Sequence, residues 1–138
     1  MLLPYVKRIY LLQGHLVYDQ GDFPQKIFLL KRGTIDFQVY REGAFHTVLS
    51  SDSVVTFGFV ECFLKTSRNF RAVCTSARSK LYQIEFSHFD RIFSLHCEDY
   101  PRIIDQQILL FREFIDLSFS HRKDFIRWLV TTEYSRET

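Results

Sequence analysis

The 138 residues amount to one domain, long enough to bury about two-thirds of the surface its unfolded chain would expose. Apolar residues at 46% and charged residues at 25% exclude a disordered chain, and a net charge of +2 is too small to imply nucleic acid or an anionic membrane as partner. No apolar run approaches the roughly 20 residues of a membrane span, and Leu2-Leu3-Pro4-Tyr5 leads straight into Lys7 and Arg8, which does not read as a signal peptide.

The first half reads as short strands punctuated by glycine turns. Arg8–Leu12 and Leu16–Tyr18 flank Gly14, and Asp19-Gln20-Gly21-Asp22 is a turn. Lys26–Lys31 and Thr34–Tyr40 are strands joined by a hairpin signal at Arg32-Gly33, the second strand alternating polar and apolar side chains. Gly43 marks the next turn and Thr47–Leu49 returns; further on, Arg71–Ser76 and Lys80–Glu85 form one more β pair. Strands of this length separated by turns predict a small antiparallel barrel or jelly roll.

The period then changes. Ser87-His88-Phe89-Asp90 has the form of a capping box and opens a helix through about Leu95. Asp99-Tyr100-Pro101 starts another, along which Tyr100, Ile103, Ile104, Gln107, Ile108, Phe111, Phe114 and Ile115 recur at helical spacing to about Leu117. Ser120 caps a last segment containing Phe125, Trp128 and Leu129. The predicted class is α+β: a β-roll over residues 6–85, a short cassette helix, helices over 87–117 that close a domain spanning 1–117, and a helical tail over 118–138.

Most of the functional signal lies in Phe57–Val73, FGFVECFLKTSRNFRAV. A short helix entered through Gly58 presents free backbone N–H groups and a positive dipole end, which suits a phosphate. An arginine a few residues beyond can grip the same anion with its planar fork of donors, and Arg68 and Arg71 are the candidates. Other chemistry finds no support. His15, His46, His88, His96 and His121 show no paired spacing for a metal, and no nucleophile with a base stands out, so no enzyme is read. Cys62, Cys74 and Cys97 form no CxxC pair and read as reduced thiols of a cytoplasmic protein. Arg122, Lys123 and Arg127 beside Trp128 read as a solvated helix face. The apolar start and charged end of the chain are those expected of a domain excised from a larger protein.

This order of motifs resembles the cyclic-nucleotide-binding domain superfamily over roughly residues 6–117. The likeness is carried by Val17–Asp22, Ile27–Gly33 continuing into Thr34–Phe37, Phe57-Gly58, and Lys80–Phe93. It implies a regulatory, non-catalytic domain that takes cAMP or cGMP and no other cofactor. It further implies a phosphate cassette of Gly58, Phe59, Val60, Arg68, Arg71 and Ala72, under a lid helix bearing Gln107 and Phe111, with Gln107 or Arg112 in reach of the base.

Two departures mark the cassette as degenerate. The family's ribose-binding glutamate is Phe59 here, and a sugar hydroxyl left unpaired in a pocket costs about 1–3 kcal/mol. Glu61, about 200° further around a helix, is a poor substitute and is read as a solvated carboxylate. The family's phosphate arginine follows a proline and precedes small residues. Arg68 follows Ser67 and precedes Asn69-Phe70, while Arg71-Ala72 fits if a short insertion is allowed. Phe59 or Phe70 is placed to fill part of the pocket. Only 21 residues follow Leu117, too few for the winged helix-turn-helix of bacterial regulators, so no nucleic acid is expected. Glu98-Asp99-Tyr100 and Ile104–Leu110 resemble the segment after the domain in ciliate potassium channels. The implied setting is the cytoplasmic part of an ion channel, assembled as a homo-oligomer through the parent protein, with no membrane span in this chain. The alternative is an interaction scaffold that binds no ligand, in a flagellar or kinase-regulatory assembly.

Overall fold

The structure is a computed structural model and describes residues 5–118. The expected segment after Ser120, with Phe125, Trp128 and the basic cluster at Arg122, Lys123 and Arg127, lies outside the described residues. Eight strands and three helices follow one another as β1 (Lys7–Leu12), β2 (Leu16–Tyr18), β3 (Lys26–Arg32), β4 (Ile35–Arg41), β5 (Ala44–Ser51), β6 (Val55–Phe57), α1 (Phe59–Leu64), β7 (Arg71–Cys74), β8 (Arg78–Glu85), α2 (Phe86–His96) and α3 (Tyr100–Ser118). The strands form two four-stranded antiparallel sheets, ordered β1-β8-β3-β6 and β2-β7-β4-β5.

The alternation expected in β4 is present: Ile35, Phe37 and Val39 are buried while the residues between them are less so. They meet Phe28, Leu30 and Leu81 of the facing sheet, with Phe70, Ala72 and Cys74 closing the core. This is the β-roll with following helices that the sequence predicts.

The expected connections are corrected in two places. Arg32-Gly33 is not a hairpin, because β3 pairs with β8 and β6 while β4 pairs with β7 and β5. Nor do β7 and β8 pair with each other. Each couple is instead one long strand bent across the two sheets, and the two bends sit against each other. Thr34 N–H donates to Ser76 Oγ at 3.0 Å, and Thr75 N–H donates to the Thr34 carbonyl at 3.0 Å. Gly33, at φ 100°, lies so close that a β-carbon there would sit 2.3 Å from Ser79 Oγ and 2.6 Å from the Arg78 carbonyl oxygen. The glycine marks a crowded corner, which a sequence reading cannot tell from a turn. The two-residue hairpin is β4–β5, where Glu42 and Gly43 both have positive φ, as a type I′ turn requires.

Strand β5 extends the expected Thr47–Leu49 in both directions, and three-residue β6 was not foreseen. Helix α2 begins one residue early, at Phe86, and no side chain caps it. The Ser87–Asp90 capping box does not form, because β8 runs into the helix through Glu85 and the Phe86 N–H is held by the Gln25 carbonyl at 2.8 Å. Helix α3 starts as expected, with Pro101 in its first turn. Its Phe111 and Ile115 pack onto the roll, and Tyr100 and Ile104 are buried at its start.

Candidate functional site

Strand β6 delivers the chain to Gly58, which takes φ 84° and serves as the N-cap of α1. A β-carbon at Gly58 would lie 3.0 Å from Arg68 Nη1, so the close approach of this arginine is built into the backbone. The Gly58 carbonyl accepts from Arg68 Nη1 at 2.7 Å, and the Lys26 carbonyl accepts from Nη2 at 2.7 Å. Nη1 also donates to Glu61 Oε1 at 3.0 Å, and both side chains of this ion pair are 2% exposed. The other Glu61 oxygen, Oε2, accepts a short hydrogen bond from the Asn69 backbone N–H. The guanidinium lies over the Tyr18 ring, 4.2 Å from its centroid.

This overturns the reading of Glu61 as a solvated carboxylate. The acid points inward from α1 and is the counter-charge of Arg68. Burial pushes its carboxyl above the usual range, against the opposing pull of the Asn69 N–H and of Arg68. Burial likewise raises the neighbouring Cys62 thiol. The Arg68 backbone is tied on both sides to the predicted turn: its N–H donates to the Asp22 carbonyl and its carbonyl accepts from the Gly21 N–H, each at 2.8 Å.

Arg71 leads elsewhere. From β7 it makes a two-point contact with Asp19, Nε to Oδ1 at 2.9 Å and Nη2 to Oδ2 at 3.3 Å, and its guanidinium lies 3.5 Å from the centroid of Phe45. The hydrogen bond from Arg71 holds the Asp19 carboxyl below its usual range. The two arginine candidates therefore stand in separate environments, one buried and one at the surface. Ala72, the remaining cassette position on β7, is fully buried in the core.

Between the mouth of the roll and α3 lies a cavity of about 290 Å³. Gly58, Phe59 and Val60 line it from the cassette, and Gln107 and Phe111 from α3, so five expected positions converge on one space. Arg68, Arg71 and Ala72 are not among its lining residues, nor is Arg112, which is exposed on α3. Phe70 is 3% exposed and meets Phe111 edge-on at 6.1 Å across the cavity. The Phe59 ring belongs to a cluster with Phe63, Phe86, Phe89 and Tyr100, at centroid distances of 5.7–6.3 Å, which joins α1 to α2 and α3. Ser51, at the end of β5, also lines the cavity; it is 4% exposed and its hydroxyl has no hydrogen-bond partner among the described residues.

Sequence reasoning passed over Tyr18 and Ser51 and misread Glu61. Only Glu61 gave a usable signal, an acid inside the apolar run FVECFL seven residues before a basic one. Among the described residues no group of His, Cys, Asp and Glu could hold a metal, and no helix is long and apolar enough to cross a membrane.

No protein-family model matches the sequence, and no curated protein matches it. Solved structures do match. The regulatory domain of Toxoplasma gondii PKA with cAMP superposes with a TM-score of 0.64 at 11% identity, over 75% of this chain and 38% of that one. The regulatory subunit of a cAMP-independent protein kinase A from Trypanosoma brucei gives 0.66 at 12% identity, over 81% and 41%. A cyclic nucleotide-binding domain from Methylobacillus flagellatus gives 0.67 at 12% identity, over 80% and 64%. The chain thus spans less than two-thirds of each of these three. Its fold is that of cyclic-nucleotide-binding domains.

Proposed function

We propose that the chain is a regulatory, non-catalytic sensor domain in which occupancy of the cavity moves α3, and that its phosphate cassette is degenerate. The contact of Phe111 with Phe70 across the cavity carries this reading. A molecule entering beneath α3 meets that pair and must either pack against it or part it. Arg68 already satisfies Glu61 and two carbonyls, so a cyclic phosphate would have to compete with a buried carboxylate for it. A ribose would find Phe59 where the family has an acid. On this account cAMP and cGMP bind weakly if at all. The fold permits that outcome, since one similar structure belongs to a kinase described as cAMP-independent.

We place the domain in the cytosolic part of an ion channel, on the likeness of Glu98–Tyr100 and Ile104–Leu110 to channel sequences. A ligand drives such a device only through different affinities for the two α3 positions. The alternative keeps the fold and makes the domain a constitutive scaffold.

Amide hydrogen exchange of α3 separates the two. Leu49 lines the cavity, so Leu49→Trp fills it without any ligand. A sensor responds with altered exchange over Gln107–Ile115, and cAMP or cGMP at millimolar concentration reproduces that change only where it binds. Exchange in α3 that ignores a filled cavity would leave the scaffold.

A further inference from the structure

The cavity beneath α3 is apolar where a nucleotide site needs charge. Phe37, Phe57, Phe70 and Phe111 form much of its wall. The cassette's own charges cancel, because the Glu61 carboxylate lies 3.0 Å from Arg68 Nη1 with both side chains buried. Both Nη1 hydrogens are taken, by the Gly58 carbonyl and by Glu61. Arg71 is held by Asp19 and does not line the space. An anion entering here would gain no net positive charge and would lose its hydration. One buried polar group in the cavity wall lacks a partner among the described residues: the Ser51 hydroxyl, at the end of β5.

We infer that the cavity binds an uncharged, largely apolar small molecule carrying one hydrogen-bonding group, which pairs with Ser51 Oγ; this inference rests on the sensor reading above. The size fits, since an apolar cavity of about 150 Å³ already holds benzene and this one measures about 290 Å³. A hydroxyl both donates and accepts, so Ser51 pairs with a ligand carbonyl, hydroxyl or amine and favours none of them. Gln107, exposed at the rim on α3, is a further polar group within reach of the ligand's outer end.

A pair of fluorescent probes that differ by one charge tests the assignment on the full chain. Phenylnaphthylamine is neutral, aromatic and carries one N–H; anilinonaphthalenesulfonate is its sulfonated counterpart. Phenylnaphthylamine binds saturably at one site per chain, and the sulfonate and cAMP bind at least about tenfold more weakly. Ser51→Ala weakens the neutral probe about fivefold, the worth of one hydrogen bond, and Leu49→Trp abolishes its binding. Cooperative unfolding certifies both variants; if Leu49→Trp does not fold, the charge comparison in the wild-type chain decides alone. Equal or tighter binding of the sulfonate or of cAMP overturns the inference and leaves the sensor intact. Undiminished binding to Leu49→Trp overturns it by placing the probe elsewhere, and undiminished binding to Ser51→Ala overturns the role of Ser51. Neutral binding with unaltered α3 exchange sustains the inference and defeats the sensor. Failure of every probe to saturate defeats both.

Discussion

Replacing Arg68 by methionine tests whether the cassette arginine is committed to the interior. The substitution keeps the apolar stem and removes the charge facing Glu61, a carboxylate 2% exposed. Breaking a buried ion pair from one side costs about 3–5 kcal/mol. For 138 residues the unfolding entropy near the midpoint is about 0.3 kcal/mol/K, so the expected loss in Tm is roughly 10–17 °C.

The pH dependence is the sharper signature. Glu61 already titrates above its usual value through burial, held back by Arg68 and the Asn69 N–H. Without Arg68 its folded pKa rises further. A group whose folded pKa is raised contributes stability below its unfolded pKa and loses it as pH rises through the folded one. The gap between wild type and Arg68→Met therefore widens from pH 5 to pH 8, and adding Glu61→Gln flattens it. Urea denaturation of the three proteins across that range is the assay. A loss under about 1 kcal/mol, or a gap that does not change with pH, would refute the reasoning and free Arg68 to hold a ligand's phosphate.

Three further outcomes are expected. Alanine at Gly33 destabilises more than at Gly58, and at Gly58 more than at Gly43. All three have positive φ, worth about 1–2 kcal/mol, but the added β-carbon meets atoms at 2.3 Å, at 3.0 Å and in open space respectively; thermal midpoints in any other order break the argument. Asp19→Asn lowers stability at neutral pH by a margin that holds above pH 3.8 and closes as pH falls through the depressed folded pKa, since the carboxylate's gain requires it to be ionised; a margin that grows in acid contradicts the Arg71 pairing. Phe111→Ala removes one ring partner of Phe70 and speeds amide exchange along α3 while leaving β3, β4 and β8 protected; uniform acceleration would mean that α3 does not detach on its own.

The roll was legible because its signals are local: alternation in β4, the change of period after Glu85, and Pro101 at a helix start. The bends were not, because a glycine that turns a hairpin and one that fits a crowded corner look alike in sequence. Only the pairing of β3 with β8 and of β4 with β7 tells them apart. Gly58, Phe59, Val60, Gln107 and Phe111 reach one cavity from the expected elements. Glu61 was misplaced because angular position on a helix says nothing of what lies opposite. Its partner arrives from beyond the helix's end, where Lys65 at φ 57° turns the chain back. Ser51 gave no signal, since a serine at the end of a strand is ordinarily wet.

The packing of α3 is unequal along its length, and that has a mechanical result. Its first turn is clamped, with Tyr100 5% exposed and its hydroxyl donating to Asp90 at 2.9 Å within the aromatic cluster around Phe59, while further on Leu109 is exposed and Leu110 and Phe111 border the cavity. If α3 moves as the sensor reading requires, Tyr100 is its fulcrum and the contacts of Phe111 and Ile115 with the roll are what must yield. At 1.5 Å per residue, Phe111 stands about 16 Å from that fulcrum and Ser118 about 27 Å. On the proposed sensor reading, a push of 1 Å beneath Phe111 becomes roughly 1.6 Å at the far end of the helix.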